Sequence, residues 1–160
     1  MNILVLCTGN SARSILLESY LNAAGDGRVS GFSAGSHPTG TVNPGALRLL
    51  MRKGLPVSQL RSKSWDEFAA PDAPLMDLVI TVCDAAAGET CPIWPGAPLR
   101  GHWGVDDPAA VTGSEAEIDA AFERAWDVLT RRADALLALP FADLDPGALK
   151  TELDRIGALP

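Results

Sequence analysis

The chain has 160 residues, with 13 basic and 20 acidic side chains, so its formal net charge at pH 7 is −7. This length fits one domain whose core needs no disulfide or metal, and the acidic balance argues against nucleic acid as a partner. The apolar run near the N-terminus extends only from Ile3 to Leu6, which is too short for a signal peptide or a membrane span. We therefore expect a cytoplasmic protein without a membrane partner.

The first predicted elements are a buried strand at Ile3 to Leu6 and an amphipathic helix that begins near Ile15. The residues between them form a strand-to-helix turn. Amide N–H groups at a helix start have no intrahelical acceptor and lie at the positive end of the helix dipole, so such a turn binds anions. The predicted oxyanion-binding residues are Thr8, Gly9, Asn10, Ser11, Ala12, Arg13 and Ser14.

Cys7 opens this turn and is the candidate nucleophile. A helix N-terminus or a nearby cation can lower a thiol pKa from about 8.5 to about 3.5 to 7.5, which produces thiolate at neutral pH. Gly9 and Asn10 tolerate the left-handed backbone that turns amides inward, and Arg13 adds a planar fork of donors. Ser14 is placed to hydrogen-bond the sulfur. The alternative is a buried structural cysteine beside a solvated arginine.

Three further segments are predicted strands, and amphipathic helices alternate with them. They are Val29 to Ser33, Asp77 to Val82 and the shorter Leu99 to Trp103. This alternation predicts a single-domain α/β fold, a doubly wound parallel four-stranded sheet with helices on both faces. Ligands of such sheets bind at the carboxyl ends of the strands, where Cys7 and Cys83 both lie.

Helix signals mark the rest of the chain. The first helix ends near Gly25, and the others are expected from Pro44 to Gly54, at Trp65 to Phe68, from a Ser114/Glu117 capping box to Pro140, and from Pro146 to Ile156. We assign residues 1–140 to the main domain and residues 141–160 to a C-terminal helical tail.

Two later features have chemical as well as structural interpretations. Cys83 and Cys91 are separated by seven residues, a spacing that suits a redox pair better than a metal site; two unreactive thiols are the alternative.

The Asp106-Asp107-Pro108 segment offers a carboxylic acid to protonate a leaving group, although Asp-Pro is also an ordinary turn element. His37 and His102 are expected to be turn and core residues.

Together these motifs resemble the arsenate reductases built on the low-molecular-weight protein tyrosine phosphatase fold. The resemblance covers nearly the whole chain before about Pro140. The matching segments are Cys7-x5-Arg13-Ser14, Phe32-Ser33-Ala34-Gly35, Val82-Cys83-x7-Cys91-Pro92 and His102-Trp103-Gly104-Val105-Asp106-Asp107-Pro108. The cysteine-arginine loop is typical of the wider phosphatase group, whereas the later cysteine pair and the His-Trp-Gly segment select the reductase branch.

The resemblance implies a function and the residues that perform it. Cys7 attacks arsenate, the loop amides and Arg13 hold its oxygens, and Asp107 acts as general acid. Cys83 then attacks the Cys7 sulfur and releases arsenite, and Cys91 takes over the disulfide by pairing with Cys83. No cofactor is bound; the reductant is an external thiol system, either thioredoxin or glutaredoxin with glutathione.

Two departures from the family pattern accompany the resemblance. Some of these reductases have a further cysteine before the loop arginine, where this chain has Ala12. Some bind potassium through oxygens that match Asn10, Glu18 and Ser33 together with an aspartate, whose position Lys63 occupies here. We therefore predict neither a bound metal nor a potassium requirement.

Two rival functions remain open from the sequence. One is a low-molecular-weight tyrosine phosphatase or a phosphatase of small phosphate esters. Tyrosine phosphatases of this group usually carry an aromatic residue after the Asp-Pro pair, whereas Ala109 and Ala110 follow here, which favours a small substrate. The other rival is a non-catalytic module that binds oxyanions or senses oxidation through its thiols.

Overall fold

The computed structural model describes residues 1–90 and 92–160, and its centre is a parallel sheet of four strands. The strands are β1 (Asn2–Leu6), β2 (Ser30–Ala34), β3 (Leu78–Thr81) and β4 (Leu99–His102). Their order in the sheet is β2-β1-β3-β4, and each neighbouring pair is parallel. The predicted α/β fold with a four-stranded parallel sheet is confirmed.

The central strand β1 is buried on both faces, as its apolar sequence indicated. Ile3 and Val5 point into one hydrophobic cluster, and Leu4 and Leu6 point into another on the opposite face. All four are at most 1% exposed. A strand covered on both faces needs no polar alternation, which is why this segment is a continuous apolar run.

Five α-helices occur in the described part of the chain. Four of them have bounds close to those expected, and the third in chain order was not expected. They are α1 (Arg13–Ala24), α2 (Pro44–Arg52), α3 (Asp84–Gly88), α4 (Glu115–Leu137) and α5 (Pro146–Gly157). The short helix predicted at Trp65–Phe68 is a 3-10 helix. No helix was predicted where α3 lies, because its five residues make fewer than two turns and show no apolar periodicity.

The α-helical cover of the sheet is uneven. Side chains of α1, α2, α4 and α5 all join the cluster that contains Ile3 and Val5. The other face is covered by the 3-10 helix Trp65–Phe68 and by Trp94 from the loop before β4. Within residues 1–90 and 92–160, no helix is both long enough and apolar enough to cross a membrane.

The caps of α2 and α4 follow the sequence signals. Asn43 Oδ1 accepts a hydrogen bond from the Gly45 amide at 2.8 Å, and Ser114 Oγ accepts from the Glu117 amide at 3.1 Å. The Glu117 carboxylate returns to the Ser114 hydroxyl at 3.3 Å, where a capping box would use the Ser114 amide. Each cap satisfies one amide that the helix leaves unpaired.

The last helix, α5, packs directly on the sheet. Leu149, Leu153 and Ile156 are buried in the main cluster, and Trp103 Nε1 donates to the Leu153 carbonyl at 3.1 Å. A Cβ atom at Gly157 would lie 2.5 Å from the His102 carbonyl oxygen, so only glycine allows this approach. Residues 141–160 therefore contribute to the same core as the rest of the chain.

Candidate active site

The turn from β1 to α1 presents amide N–H groups to a pocket because its carbonyls are bonded elsewhere. The carbonyl oxygens of Thr8, Gly9 and Ser11 accept hydrogen bonds at 2.9 to 3.0 Å from the amides of His37, Thr39 and Asn43. Within the described residues, the amides of Ser11, Ala12 and Arg13 donate to no protein acceptor. Free amides at the start of a 12-residue helix are donors of the kind that bind anions.

Asn10 holds this turn in shape from beneath. Its backbone adopts a φ of 44°, in the left-handed region, whereas Gly9 does not take a positive φ. Its buried side chain donates to Ser14 Oγ at 2.9 Å and to Ser33 Oγ at 3.0 Å, and accepts from the Lys63 amide at 2.9 Å. Asparagine tolerates this backbone, and its side-chain amide forms hydrogen bonds with three neighbours. Of the two residues expected to take a left-handed backbone, Asn10 alone does so.

Ser14 differs from expectation. Its hydroxyl accepts from Asn10 and, in this structure, makes no hydrogen bond to Cys7 Sγ. Ser14 is fully buried in the first turn of α1, where its bond with Asn10 supports the loop.

Arg13 lies at the first position of α1 and spans the pocket. Its Nη1 donates to the Val105 carbonyl at 2.8 Å, and its Nη2 lies 3.4 Å from Asp107 Oδ2. Its Nε is buried and has no hydrogen-bond partner in the described structure. A buried donor on a charged group is costly unless it is satisfied, so this Nε indicates an acceptor that the protein does not supply.

Cys7 and Cys83 face each other across the same pocket, together with Thr8, Gly9, Arg13 and other loop residues. The hydrogen bond with Cys83, followed by burial, raises the pKa of Cys7, against the opposing effect of Arg13. The same hydrogen bond, reinforced by the amides of Thr8 and Ala86, lowers the pKa of Cys83 to about 5 although burial opposes it.

The hydrogen bond between the two sulfurs thus favours a proton on Cys7 and a thiolate at Cys83, whereas Arg13 favours a thiolate at Cys7. The loop therefore does not act on Cys7 alone, because the second sulfur approaches from the end of β3 and competes for the same proton.

Cys83 lies between the end of β3 and the start of α3. Cys83 is the N-cap residue of α3, and the Thr8 amide donates to its sulfur at 3.4 Å. The Thr8 hydroxyl is 3.7 Å from the same sulfur and donates to Glu89 Oε1 at 2.9 Å. Cys91, the third predicted cysteine of the relay, lies outside the described residues.

The two adjacent aspartates take different positions. Asp107 lines the pocket that contains Cys7, whereas Asp106 does not. The Asp107 side chain also caps the 3-10 helix Pro108–Ala110 by accepting from the Ala109 amide at 3.0 Å. Its other oxygen faces Arg13, so the carboxyl is held with one edge toward the pocket.

A buried ion pair lies beneath the loop. Lys63 Nζ is 3.9 Å from Glu18 Oε2 and 3.4 Å from Ser33 Oγ, and the Ser33 hydroxyl donates to Glu18. Burial lowers the pKa of Lys63 and raises that of Glu18, and each charge partly reverses the effect on the other. The lysine ammonium thus lies among the oxygens of Glu18 and Ser33, next to Asn10.

Several of these contacts had no signal in the sequence. Those with Val105, Glu89 and Thr39 join residues far apart in the chain, and only folding brings them to the pocket. His102 is also not the core residue that was expected, because its ring is partly exposed and contacts Thr81 Oγ1 at 2.7 Å and Asp84 Oδ1 at 2.8 Å. Within the described residues, no group of three or more His, Cys, Asp or Glu side chains is arranged to hold a metal ion.

Comparison with known proteins gives a consistent set of relatives. Residues 2–151 match the family model described as low molecular weight phosphotyrosine protein phosphatase. The chain is 38% identical to an arsenate reductase of Bacillus licheniformis over 130 residues, which are 81% of this chain and 90% of the relative.

Two solved structures extend this likeness. An arsenate reductase from Archaeoglobus fulgidus is 27% identical with a TM-score of 0.56, covering 80% of this chain and 98% of the other. A thioredoxin-dependent arsenate reductase from Corynebacterium glutamicum is 25% identical with a TM-score of 0.53, covering 81% of this chain and 60% of the other.

Proposed function

The chain belongs to the low molecular weight phosphotyrosine protein phosphatase family, and from this premise we propose that it is an arsenate reductase that converts arsenate to arsenite with its own thiols. The observation that carries the proposal is the meeting of Cys7 and Cys83 in one anion pocket. Hydrolysis of a phosphate ester needs one nucleophile, whereas reduction of an oxyanion needs two electrons, which a pair of thiols supplies.

The pocket supports the binding of a tetrahedral oxyanion. The free amides of Ser11, Ala12 and Arg13 and the unpartnered Arg13 Nε all offer donors to it. A planar guanidinium can bind two oxygens of one anion, and charge-assisted hydrogen bonds are the stronger ones. Arsenate, with its oxygens arranged tetrahedrally, fits this donor set.

In the first step Cys7 gives its proton to the neighbouring Cys83 sulfur and attacks arsenic as the thiolate. A sulfur–arsenic bond forms and one arsenic–oxygen bond breaks, and the departing oxygen leaves as water after taking a proton from Asp107. Arsenic remains arsenic(V) in this adduct. Arg13 and the loop amides hold the remaining oxygens, where negative charge persists through the reaction.

In the second step the Cys83 sulfur, once its proton has passed to an oxygen of the adduct, attacks the Cys7 sulfur. A sulfur–sulfur bond forms, the sulfur–arsenic bond breaks, and arsenic keeps the bonding pair and becomes arsenic(III). Arsenite leaves after taking up the protons that its oxygens require. The two sulfurs have supplied two electrons and are joined as a disulfide.

Regeneration of the thiols uses Cys91 and an external dithiol. We assign Cys91 the attack on Cys83, which leaves a Cys83–Cys91 disulfide and frees Cys7 for the next turnover. The five-residue helix α3 lies between these cysteines and unwinds for the step, because a regular helix keeps such sulfurs too far apart to bond. The reductant is a dithiol protein of the thioredoxin type, supported by the thioredoxin-dependent relative, and the compartment is the cytoplasm, where such reductants are maintained.

The test is arsenate reduction by the purified protein supplied in turn with thioredoxin and with glutaredoxin plus glutathione. Wild type should release arsenite through many turnovers with thioredoxin, and Cys7→Ser should release none. Cys83→Ser is the discriminating variant, because it should lose arsenate reduction yet retain hydrolysis of a small aryl phosphate. Unchanged multiple-turnover reduction in Cys83→Ser would defeat the two-thiol mechanism and favour a phosphatase.

A further inference from the structure

Arg132 joins the helix α4 to the segment that carries Asp107. The arginine is buried, with 7% of the residue exposed. Its Nη1 donates to the Gly104 carbonyl at 3.1 Å, while its Nε and Nη2 donate to the Leu159 carbonyl at 3.0 and 2.8 Å. One guanidinium therefore bonds both to the chain after β4 and to the chain after α5. The mechanism above gives this arginine no part.

The buried charge of Arg132 is compensated by backbone carbonyls. Among the described residues no Asp or Glu carboxylate pairs with it, and burial, followed by the nearby charge of Arg131, lowers its pKa. A buried charge is costly unless hydrogen bonds satisfy it, so the guanidinium is committed to these carbonyls. Two donors on the Leu159 carbonyl fix the plane of the fork and aim the third at Gly104. Because Arg132 lies in a helix of 23 residues, the Gly104 carbonyl is tied to a firm base.

The segment that follows β4 is separated from α4 by a cleft over part of its length. The cleft has a volume of about 480 Å³ and is lined by residues 104–108 on one side and by α4 on the other. Arg13 Nη1 donates at 2.8 Å to the Val105 carbonyl, which is next in the chain to the carbonyl that Arg132 holds. Two arginines therefore hold consecutive carbonyls, and Asp107 follows two residues later.

Of these two arginines, Arg13 also faces the anion. Its Nε has no partner in the described structure, and its Nη2 lies 3.4 Å from Asp107 Oδ2. A guanidinium that turns toward an anion moves the carbonyl and the carboxylate bonded to it. Arg132 does not line the pocket that contains Cys7, so its bond to the segment persists when an anion binds.

We propose that Arg132 is a positioning residue that, through the Gly104 carbonyl, holds Asp107 where its carboxyl can protonate the departing oxygen. The proposal deepens the function proposed above and rests on it, because it requires Asp107 to be the general acid. A general acid must lie within hydrogen-bond reach of the leaving atom, and a displacement of about 1 Å can cost about 10²-fold in rate. Loss of Arg132 should therefore weaken protonation of the leaving group while the nucleophile and the anion donors remain.

The test measures how strongly the reaction depends on the leaving group. The probes are phenyl phosphate, whose phenolate needs a proton to depart, and dinitrophenyl phosphate, whose phenolate departs as the anion. Arg132→Met should lower kcat/KM for phenyl phosphate by about tenfold to 100-fold, and that for dinitrophenyl phosphate by less than about threefold. Asp107→Asn should show the same pattern with a larger loss.

A double variant separates positioning of the acid from a general loss of structure. In an Asp107→Asn background the acid is absent, so adding Arg132→Met should not lower kcat/KM for phenyl phosphate any further. Arg132→Lys retains the buried charge without the planar fork that reaches both carbonyls, and it should give a smaller loss of the same kind. Arg124→Met is the matched control and should equal wild type, because Arg124 lines the same cleft from α4 but is exposed.

Unchanged rates in Arg132→Met, or equal losses for the two aryl phosphates, would overturn the proposal. A full additional loss in the Asp107→Asn background would overturn it as well. Circular dichroism establishes that each variant is folded, and Arg132→Lys carries the same comparison if Arg132→Met does not fold. A wild-type protein that hydrolyses both probes but reduces no arsenate would contradict the proposed function and leave this comparison of leaving groups unaffected.

Discussion

Asp106 and Asp107 are neighbours in the chain, yet only Asp107 lines the pocket that contains Cys7. If Asp107 protonates the leaving oxygen, Asp107→Asn should slow the single-turnover reduction of arsenate by about 10² to 10⁴-fold. Its effect on anion affinity should be smaller, because Arg13 and the loop amides bind the oxygens. Asp106→Asn is the matched control and should remain near wild type; the reverse ranking would assign the acid to Asp106.

Arg13 offers a second prediction about a single residue. Arg13→Lys keeps the positive charge but loses the planar fork and the unpartnered Nε. Because each hydrogen bond to a charged group is worth about 1.5 to 3 kcal/mol, binding of inorganic phosphate should weaken about tenfold to 100-fold.

Titration calorimetry with phosphate measures this loss. Arg48→Lys is the control, since Arg48 pairs with Asp119 at 2.8 Å and is absent from the residues that line the Cys7 pocket. Phosphate binding by Arg13→Lys as tight as that of wild type would show that the amides alone hold the anion.

At the scale of elements, the Lys63–Glu18 pair joins α1 to the segment before the 3-10 helix Trp65–Phe68. Lys63→Met should reduce the free energy of unfolding by about 3 to 5 kcal/mol, because it leaves a buried carboxylate without its partner. Adding Glu18→Gln removes that charge and should restore most of the loss. Urea unfolding at neutral pH measures both, and equal stability of Lys63→Met and wild type would contradict a role for the ion pair.

Tyr20 on α1 and Asp134 on α4 link the two helices that pack together over the sheet. The Tyr20 hydroxyl donates to Asp134 Oδ1 at 2.6 Å, and this hydrogen bond, followed by burial, raises the pKa of Tyr20 from 10.0 to about 12. A raised pKa means that the contact stabilises the fold fully below pH 10 and that this contribution is lost as pH rises toward 12.

Tyr20 is the single tyrosine of the chain, so the near-ultraviolet absorbance of tyrosinate reports it alone. Asp134→Asn should return the transition toward 10, the ordinary value. A Tyr20→Phe variant should lose less stability than wild type between pH 10 and pH 12, because it lacks the contribution of the Tyr20 hydroxyl. An identical titration in wild type and Asp134→Asn would exclude Asp134 as the cause.

At the scale of the whole molecule, α5 tests whether residues 141–160 are a separable tail. Leu153 is fully buried among residues of the sheet and α4. Leu153→Ala should therefore reduce the free energy of unfolding by about 2 to 5 kcal/mol and unfold the chain in one transition.

Leu75→Ala provides the comparison, because Leu75 is 61% exposed and its loss should change stability by less than about 0.5 kcal/mol. Urea unfolding followed by tryptophan fluorescence reports both variants. A Leu153→Ala protein as stable as Leu75→Ala would show that α5 is dispensable for the core.

The sequence by itself determined most of the elements, though not α3, and one wall of the pocket. The strand β1, the following anion-binding turn and α1 are continuous in the chain, so local patterns of apolar residues and turn residues specify them. The predicted parallel sheet put Cys83 at the same edge as Cys7, the resemblance selected Asp107 as the acid, and the structure places both residues at the pocket. Local physics could go no further, because it governs contacts between residues a few positions apart.

Only the tertiary structure decided which groups act on the thiols and which residues bond to the loop. Cys83 reaches Cys7 because β1 and β3 are adjacent parallel strands whose carboxyl ends meet. The pKa of a thiol depends on charges and donors within a few ångströms, and for Cys7 those include Cys83 and Arg13. Since no local pattern encodes these distances, the turn sequence predicted a thiolate at Cys7 without the opposing effect of Cys83, which raises the pKa of Cys7.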